Sequence, residues 1–90
     1  NSAGDVPSRL EGLALAAGLN RAAAHSQMAA AIDVVIHLAR DRSGRRQINE
    51  IGVLDRDPTG TARVIPAVAF QAGEVNLGPA IEELRALVER

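Results

Sequence analysis

Ninety residues make one small domain or a piece of a larger one, and a net charge of −1 with a pI near 6.1 excludes a global basic field for nucleic acid or anionic lipid. The absence of cysteine excludes disulfides, thiolate metal sites and a cysteine nucleophile. All ten basic residues are arginine, so neither the lysine of a G-x-x-x-x-G-K-[ST] phosphate loop nor a Schiff-base lysine is available. Hydrophobic residues reach 47%, but 17 are alanine, against one Phe, one Met and no Tyr or Trp. Alanine buries little area, so the expected core is thin.

In chain order, Asp5 to Ala17 reads as a helix with Val6, Leu10, Leu13 and Ala17 on one stripe. Pro7 is tolerated in its first turn and Gly18 stops it. Asn20 caps a second helix, from Arg21 to about Ile32, whose alanine runs favour that state. The β-branched run Asp33 to Arg40 reads as a strand covered on both sides. Ser43-Gly44 marks a turn. A second strand follows from Arg45 to Leu54, where Ile48 is out of phase with Ile51 and Val53. That break predicts a β-bulge near Glu50, or a strand that changes face. Asp57-Pro58-Thr59-Gly60 is a second turn. Thr61 to Phe70 is a third strand, which Pro66 places at an edge or bends.

Gln71 to Gly78 reads as a polar loop. Pro79 opens a last helix ending near Glu89, with Ile81, Leu84 and Val88 on its stripe. The fold class is therefore α+β: two N-terminal helices, a three-stranded antiparallel meander and a C-terminal helix. Residues 1–90 form a single partial domain, and 71–90 is a tail carrying the last helix.

The start of the chain has neither the positive nor the apolar segment of an export signal. No apolar run approaches the ~18–20 residues of a membrane span. Cytoplasmic residence is the expectation. Met28 is the only methionine, which leads us to expect a fragment of a longer protein.

Few side chains combine into chemistry. His25 and His37 are the only imidazoles. Asp33 would be the third metal ligand, but in a strand it lies about 13 Å from His37. Hydrogen-bonded, partly buried histidines are the plainer reading. Glu11, Asp33, Glu50 and Glu74 form no carboxylate pair by spacing, and no serine sits in a G-x-S-x-G context. Arg40, Arg42, Arg45 and Arg46 crowd one hairpin with Asp41, a local net charge of +3. Such a cluster is either a solvated turn or a contact for an anion, a nucleic acid or an acidic neighbouring subunit. Phe70 is the only aromatic residue, so stacking platforms for single strands are missing.

One ordered set of motifs carries more. It runs Asn1-Ser2, Ser8-Arg9-Leu10-Glu11, Leu15-Ala16-Ala17-Gly18-Leu19, then Gln27 through His37. Arg40, Ser43-Gly44-Arg45-Arg46 and Ile48-Asn49-Glu50-Ile51 continue it. Over roughly residues 1–70 this order resembles the C-terminal part of type II/type IV secretion ATPases. The branch is that of the tight-adherence (Flp) pilus-assembly and conjugal-transfer-associated ATPases. The resemblance implies the C-terminal part of a RecA-like P-loop ATPase domain. It also implies a hexameric motor that binds ATP and Mg²⁺, works on an inner-membrane platform protein, and drives pilin assembly or secretion. The location implied is cytoplasmic, peripheral to the inner membrane. Of the family's nucleotide-binding residues only Asn1 matches, as the end of a His box whose His and Ala are absent here.

The resemblance thus points to a structural and subunit-contact segment of an ATPase, inert alone, with Arg40, Arg45 and Arg46 as the residues for a contact across a subunit boundary. The alternative is a stand-alone interaction module whose arginine hairpin binds an acidic partner. An unpaired sheet edge and apolar patches lead us to expect self-association.

Overall fold

The computed structural model describes residues 2–71 and 73–90. A 3₁₀ turn, Ala3–Asp5, leads into α1 (Val6–Ala16) and α2 (Arg21–Ala31). Four strands follow, β1 (Val34–Arg40), β2 (Arg46–Arg56), β3 (Ala62–Gln71) and β4 (Glu74–Leu77), and then α3 (Ile81–Glu89). Pro7 lies in the first turn of α1. The Asn20 side chain accepts from the Ala23 amide at 2.8 Å, capping α2 as expected.

The strands form one sheet in the order β1-β2-β3-β4, every pair antiparallel. Two expectations are corrected here. The meander has four strands and not three, because β4 occupies half of the stretch read as a polar loop. Glu-Val-Asn-Leu offers a single alternation, and its strand state comes from pairing with β3. The RecA-like P-loop architecture is also overturned. That design joins parallel strands by crossover helices, whereas here turns join neighbouring strands that are all antiparallel.

Two irregularities shape the sheet. His37 pairs with Glu50 but Leu38 pairs with Ile48, so Asn49 is the extra residue of a bulge beside Glu50. On β3, Val68 pairs with Ile51 and Pro66 with Gly52, leaving Ala67 as a second extra residue. Pro66 thus bends an interior strand rather than an edge. The pairing with β4 reaches only from Val68 to Gln71, so the missing Pro66 N–H is not needed there.

Val53 and Leu54, adjacent on β2, point to opposite faces and anchor two small cores. Leu54 and Ala62 meet Ala24 and Met28 of α2, with Leu10 and Ala14 of α1 alongside. Val53, Ala67 and Val68 meet Ala80 and the stripe Ile81, Leu84 and Leu87 of α3. The β3–α3 junction is drawn tight by two backbone bonds, Gly78 N–H to Ala67 O at 2.8 Å and Ala80 N–H to Pro66 O at 2.9 Å.

Candidate functional site, an arginine hairpin

The hairpin between β1 and β2 is organised by one carboxylate. Asp41 Oδ1 accepts from the Ser43 amide at 2.9 Å, the Ser43 hydroxyl at 2.6 Å and the Arg45 amide at 3.0 Å. Asp41 Oδ2 accepts from Gln47 Nε2 at 3.1 Å. The Asp41 amide donates to Arg45 O at 2.9 Å and the Gly44 amide to Asp41 O at 3.0 Å. Gly44 has φ +85°, a backbone region that suits glycine. The Ser43 hydroxyl, and after it the backbone amides, hold the Asp41 carboxyl below its usual range.

The turn between β2 and β3 repeats this construction. Asp57 Oδ1 accepts from the Thr59 amide at 2.8 Å, the Thr59 hydroxyl at 2.6 Å and the Thr61 amide at 3.0 Å. Gly60 has φ +90°. In both turns the preceding arginine reaches across to the glycine carbonyl. Arg40 Nη1 donates to Gly44 O at 2.8 Å and Arg56 Nε to Gly60 O at 3.0 Å. The shared pattern is Arg-Asp-x-[Ser/Thr]-Gly at residues 40–44 and 56–60. The reading from sequence found no repeat and missed this five-residue word, whose turn signals alone did not disclose its side-chain bonding.

This wiring sets the electrostatics. Asp41 spends its oxygens on amides, a hydroxyl and a glutamine, and Arg40 donates to the turn. Arg42, Arg45 and Arg46 are exposed and make no ion pair among the described residues. Arg40 and Arg46 are also direct cross-strand partners. Like charges placed opposite each other destabilise a sheet, so this pair costs the isolated fold something. Of the residues expected at a site, Arg40, Arg45 and Arg46 come together on this hairpin. Asn1 lies outside the described residues.

The histidines stand apart from the hairpin and from each other. His25 is 4% exposed. Its Nδ1 accepts from the Ala62 amide at 2.9 Å and its Nε2 faces Glu11 Oε1 at 2.5 Å. Arg21 Nε completes the group, 3.0 Å from Glu11. His37 lies 3.4 Å from Asn49 Nδ2 through Nδ1. Asp33 pairs with Arg90 at 3.2 Å. Among the described residues no three His, Asp or Glu side chains gather as a metal site would require. A cavity of about 480 Å³ opens between the β1–β2 hairpin and the start of β4, lined by Arg40, Asp41, Ile48, Asn49, Phe70 and Val75 among others.

No family model matches the chain, and no solved structure matches it. Two curated relatives, one from each of two strains of Mycobacterium tuberculosis, bear the name "Putative conjugal transfer protein". Each is 43% identical over 84 residues, covering 93% of this chain and 24% of the relative. The chain therefore spans about a quarter of the length of the curated relatives it matches, and it is similar to one part of a larger protein named for conjugal transfer. Among the described residues no helix is long and apolar enough to cross a membrane.

Proposed function

We propose that this chain is a structural, subunit-contacting segment of a conjugal-transfer or secretion ATPase and is inert alone. The observation that carries the reading is the rigid hairpin with Arg42, Arg45 and Arg46 unpaired beside the like-charge pair Arg40 and Arg46. A fold keeps such an arrangement at a cost unless carboxylates from outside satisfy it, and the arginine fork binds carboxylate in two-pronged fashion. The likeness to larger conjugal transfer proteins supports a longer parent. In that parent ATP and Mg²⁺ are held by residues other than these, since the chain has no lysine for a phosphate loop. Further copies in a ring of six, and a platform protein at the cytoplasmic side of the inner membrane, are the partners that go with this reading.

The test is the double substitution Arg45→Ala, Arg46→Ala in the parent protein. Weaker ring assembly and slower ATP turnover are expected. Unaltered assembly and turnover would return the hairpin to a solvated turn. The local charge of +3 also suits a free-standing module that binds an acidic partner. Intact-protein mass spectrometry of the natural product separates the two. A mass several times 9.4 kDa favours the segment, and a mass near 9.4 kDa favours the module.

A further inference from the structure

The open edges of the sheet are β1 and β4, and the backbone phase is fixed on both. Leu54 N–H donates to Asp33 O at 3.0 Å and Asp41 N–H to Arg45 O at 2.9 Å, so the odd-numbered residues of β1 bond to β2. The amides and carbonyls of Val34, Ile36, Leu38 and Arg40 therefore point outward. Gly78 N–H donates to Ala67 O at 2.8 Å, which leaves Val75 and Leu77 with their backbone groups outward on β4. The side chains of these same residues lie on the face that carries α3, since Val34 pairs with Val53 and Leu77 with Val68. That helix meets Val53, Ile65 and Val68 and leaves the rest of the face bare. Ile36, Leu38, Val75 and Leu77 are 54%, 48%, 59% and 64% exposed.

Sheet edges are ordinarily guarded by charges, proline or a bulge. From Val34 to Ala39, β1 carries no Asp, Glu, Lys or Arg, and β4 carries only Glu74. The extra residues of the bulges belong to β2 and β3, and Pro66 precedes the stretch of β3 that pairs with β4. An even number of strands also sets β1 and β4 antiparallel to each other. A second copy thus adds its β1 to β4 with direction, face and backbone phase all satisfied. Only shifts by two residues keep that phase. One register sets Val75 opposite Leu38 and Leu77 opposite Ile36. It continues the row Ile36–Ile51–Val68–Leu77 into Ile36 of the next copy, and the pair Phe70–Val75 into Leu38 and Ile48. It also sets Glu74 opposite Ala39, beside Arg40. A shift toward the hairpin would set Glu74 opposite Asp41, like charge against like. A shift the other way leaves Leu38 without an apolar partner.

We propose that β4 of one copy pairs antiparallel with β1 of the next, with Val75 opposite Leu38 and Leu77 opposite Ile36. Each of these pairs exchanges both backbone hydrogen bonds, and its side chains meet on the α3 face. The contact is head-to-tail, so it repeats from copy to copy and closes as a ring or runs on as a filament. It goes beyond the reading of the arginine hairpin. It needs neither those charges nor ATP, and successive copies in a ring are compatible with it.

The experiment is sedimentation equilibrium of the 90-residue chain, with circular dichroism of each variant as the control for folding. Concentration-dependent association beyond a dimer is expected. The N–H groups of Ile36 and Val75 take no part in the chain's own ladder, so Ile36→Pro and Val75→Pro each block one edge and spare the fold. Each variant alone should stay monomeric. Mixed, they should form one-to-one dimers and nothing larger, because each retains the edge that the other lacks. A second readout uses the absence of cysteine. His37 and Asn76 face each other across the seam as a close pair without mutual hydrogen bonds, within disulfide reach. Chains carrying His37→Cys and Asn76→Cys should cross-link on mixing, and faster than either does alone. If a proline variant fails to fold, this pair decides. A chain that stays monomeric overturns the proposal. So do folded proline variants that associate alone or fail to dimerise when mixed. So does a His37→Cys chain that cross-links best with itself, which would mean that β1 pairs with β1 about a two-fold axis. Failure of the seam leaves the arginine reading standing. Unaltered assembly and ATP turnover in the Arg45→Ala, Arg46→Ala parent would remove that reading without touching the seam.

Discussion

His25 is the side chain that ties helix to sheet. Its Nδ1 takes the Ala62 amide hydrogen, so the ring proton sits on Nε2 and points at Glu11. Three elements, α1, α2 and β3, therefore meet at one imidazole. His25→Ala leaves the buried Ala62 amide without its acceptor and Glu11 with Arg21 alone, at an expected cost of about 2–4 kcal/mol in chemical denaturation. The same contact governs part of the acid response. The hydrogen bond from His25, and then the charge of Arg21, hold the Glu11 carboxyl below its ordinary value of 4.5. Asp41 and Asp57 are depressed in the same sense by their turn hydroxyls and amides, from 3.8. A folded value below the unfolded one means stability that is fully present above the ordinary value and lost as pH falls through the depressed one. Through these carboxylates stability should decline as pH falls below about 4.5, with a shallower decline in Glu11→Gln. An equal decline in both proteins would dissociate Glu11 from the acid response.

Among the elements, the β3–α3 junction is held by backbone on both sides. A Cβ at Gly78 would lie 2.5 Å from Pro66 O, a backbone atom that cannot swing aside. Gly78→Ala must therefore push α3 away from the sheet and strain both bonds that draw the junction tight. The expected destabilisation is about 2–3 kcal/mol, with loss of cover over Val53 and Ile65. An unfolding midpoint equal to that of the unaltered chain would show that the junction yields. Here the reading from sequence is instructive. Gly78-Pro79 announces the last helix, which begins two residues later at Ile81, but no local signal announces β4 just before it. A four-residue strand with two polar positions has too little alternation to declare itself. The bulge beside Glu50 was legible because Ile48 breaks a parity that eleven residues of β2 establish.

The whole molecule is a thin sheet with a core on each face, and Val53 and Leu54 serve one each. Because the two cores share β2, they should melt together. Leu54→Ala is expected to cost about 2–4 kcal/mol and Val53→Ala about 1–3 kcal/mol, each shifting a single transition. Two separated transitions in either variant would mean that the α1–α2 side and the α3 side fold independently.

By itself the sequence determined the local states. Periodicity marks three helices and the first three strands. Asn20 marks a cap, Pro7 a helix start, and the glycines after Ser43 and Thr59 mark turns. Each is a property of a few neighbouring residues, so it survives without knowledge of the rest of the chain. Only the tertiary structure decided what lies across from what. The fourth strand exists because β3 offers its open edge. Arg42, Arg45 and Arg46 make no ion pair among the described residues because Asp41 turns inward to its own loop. The apolar rows gather on one face, half under α3 and half bare, because two bulges and the register align residues far apart in sequence. Those outcomes depend on non-local pairing, which no short window of sequence contains.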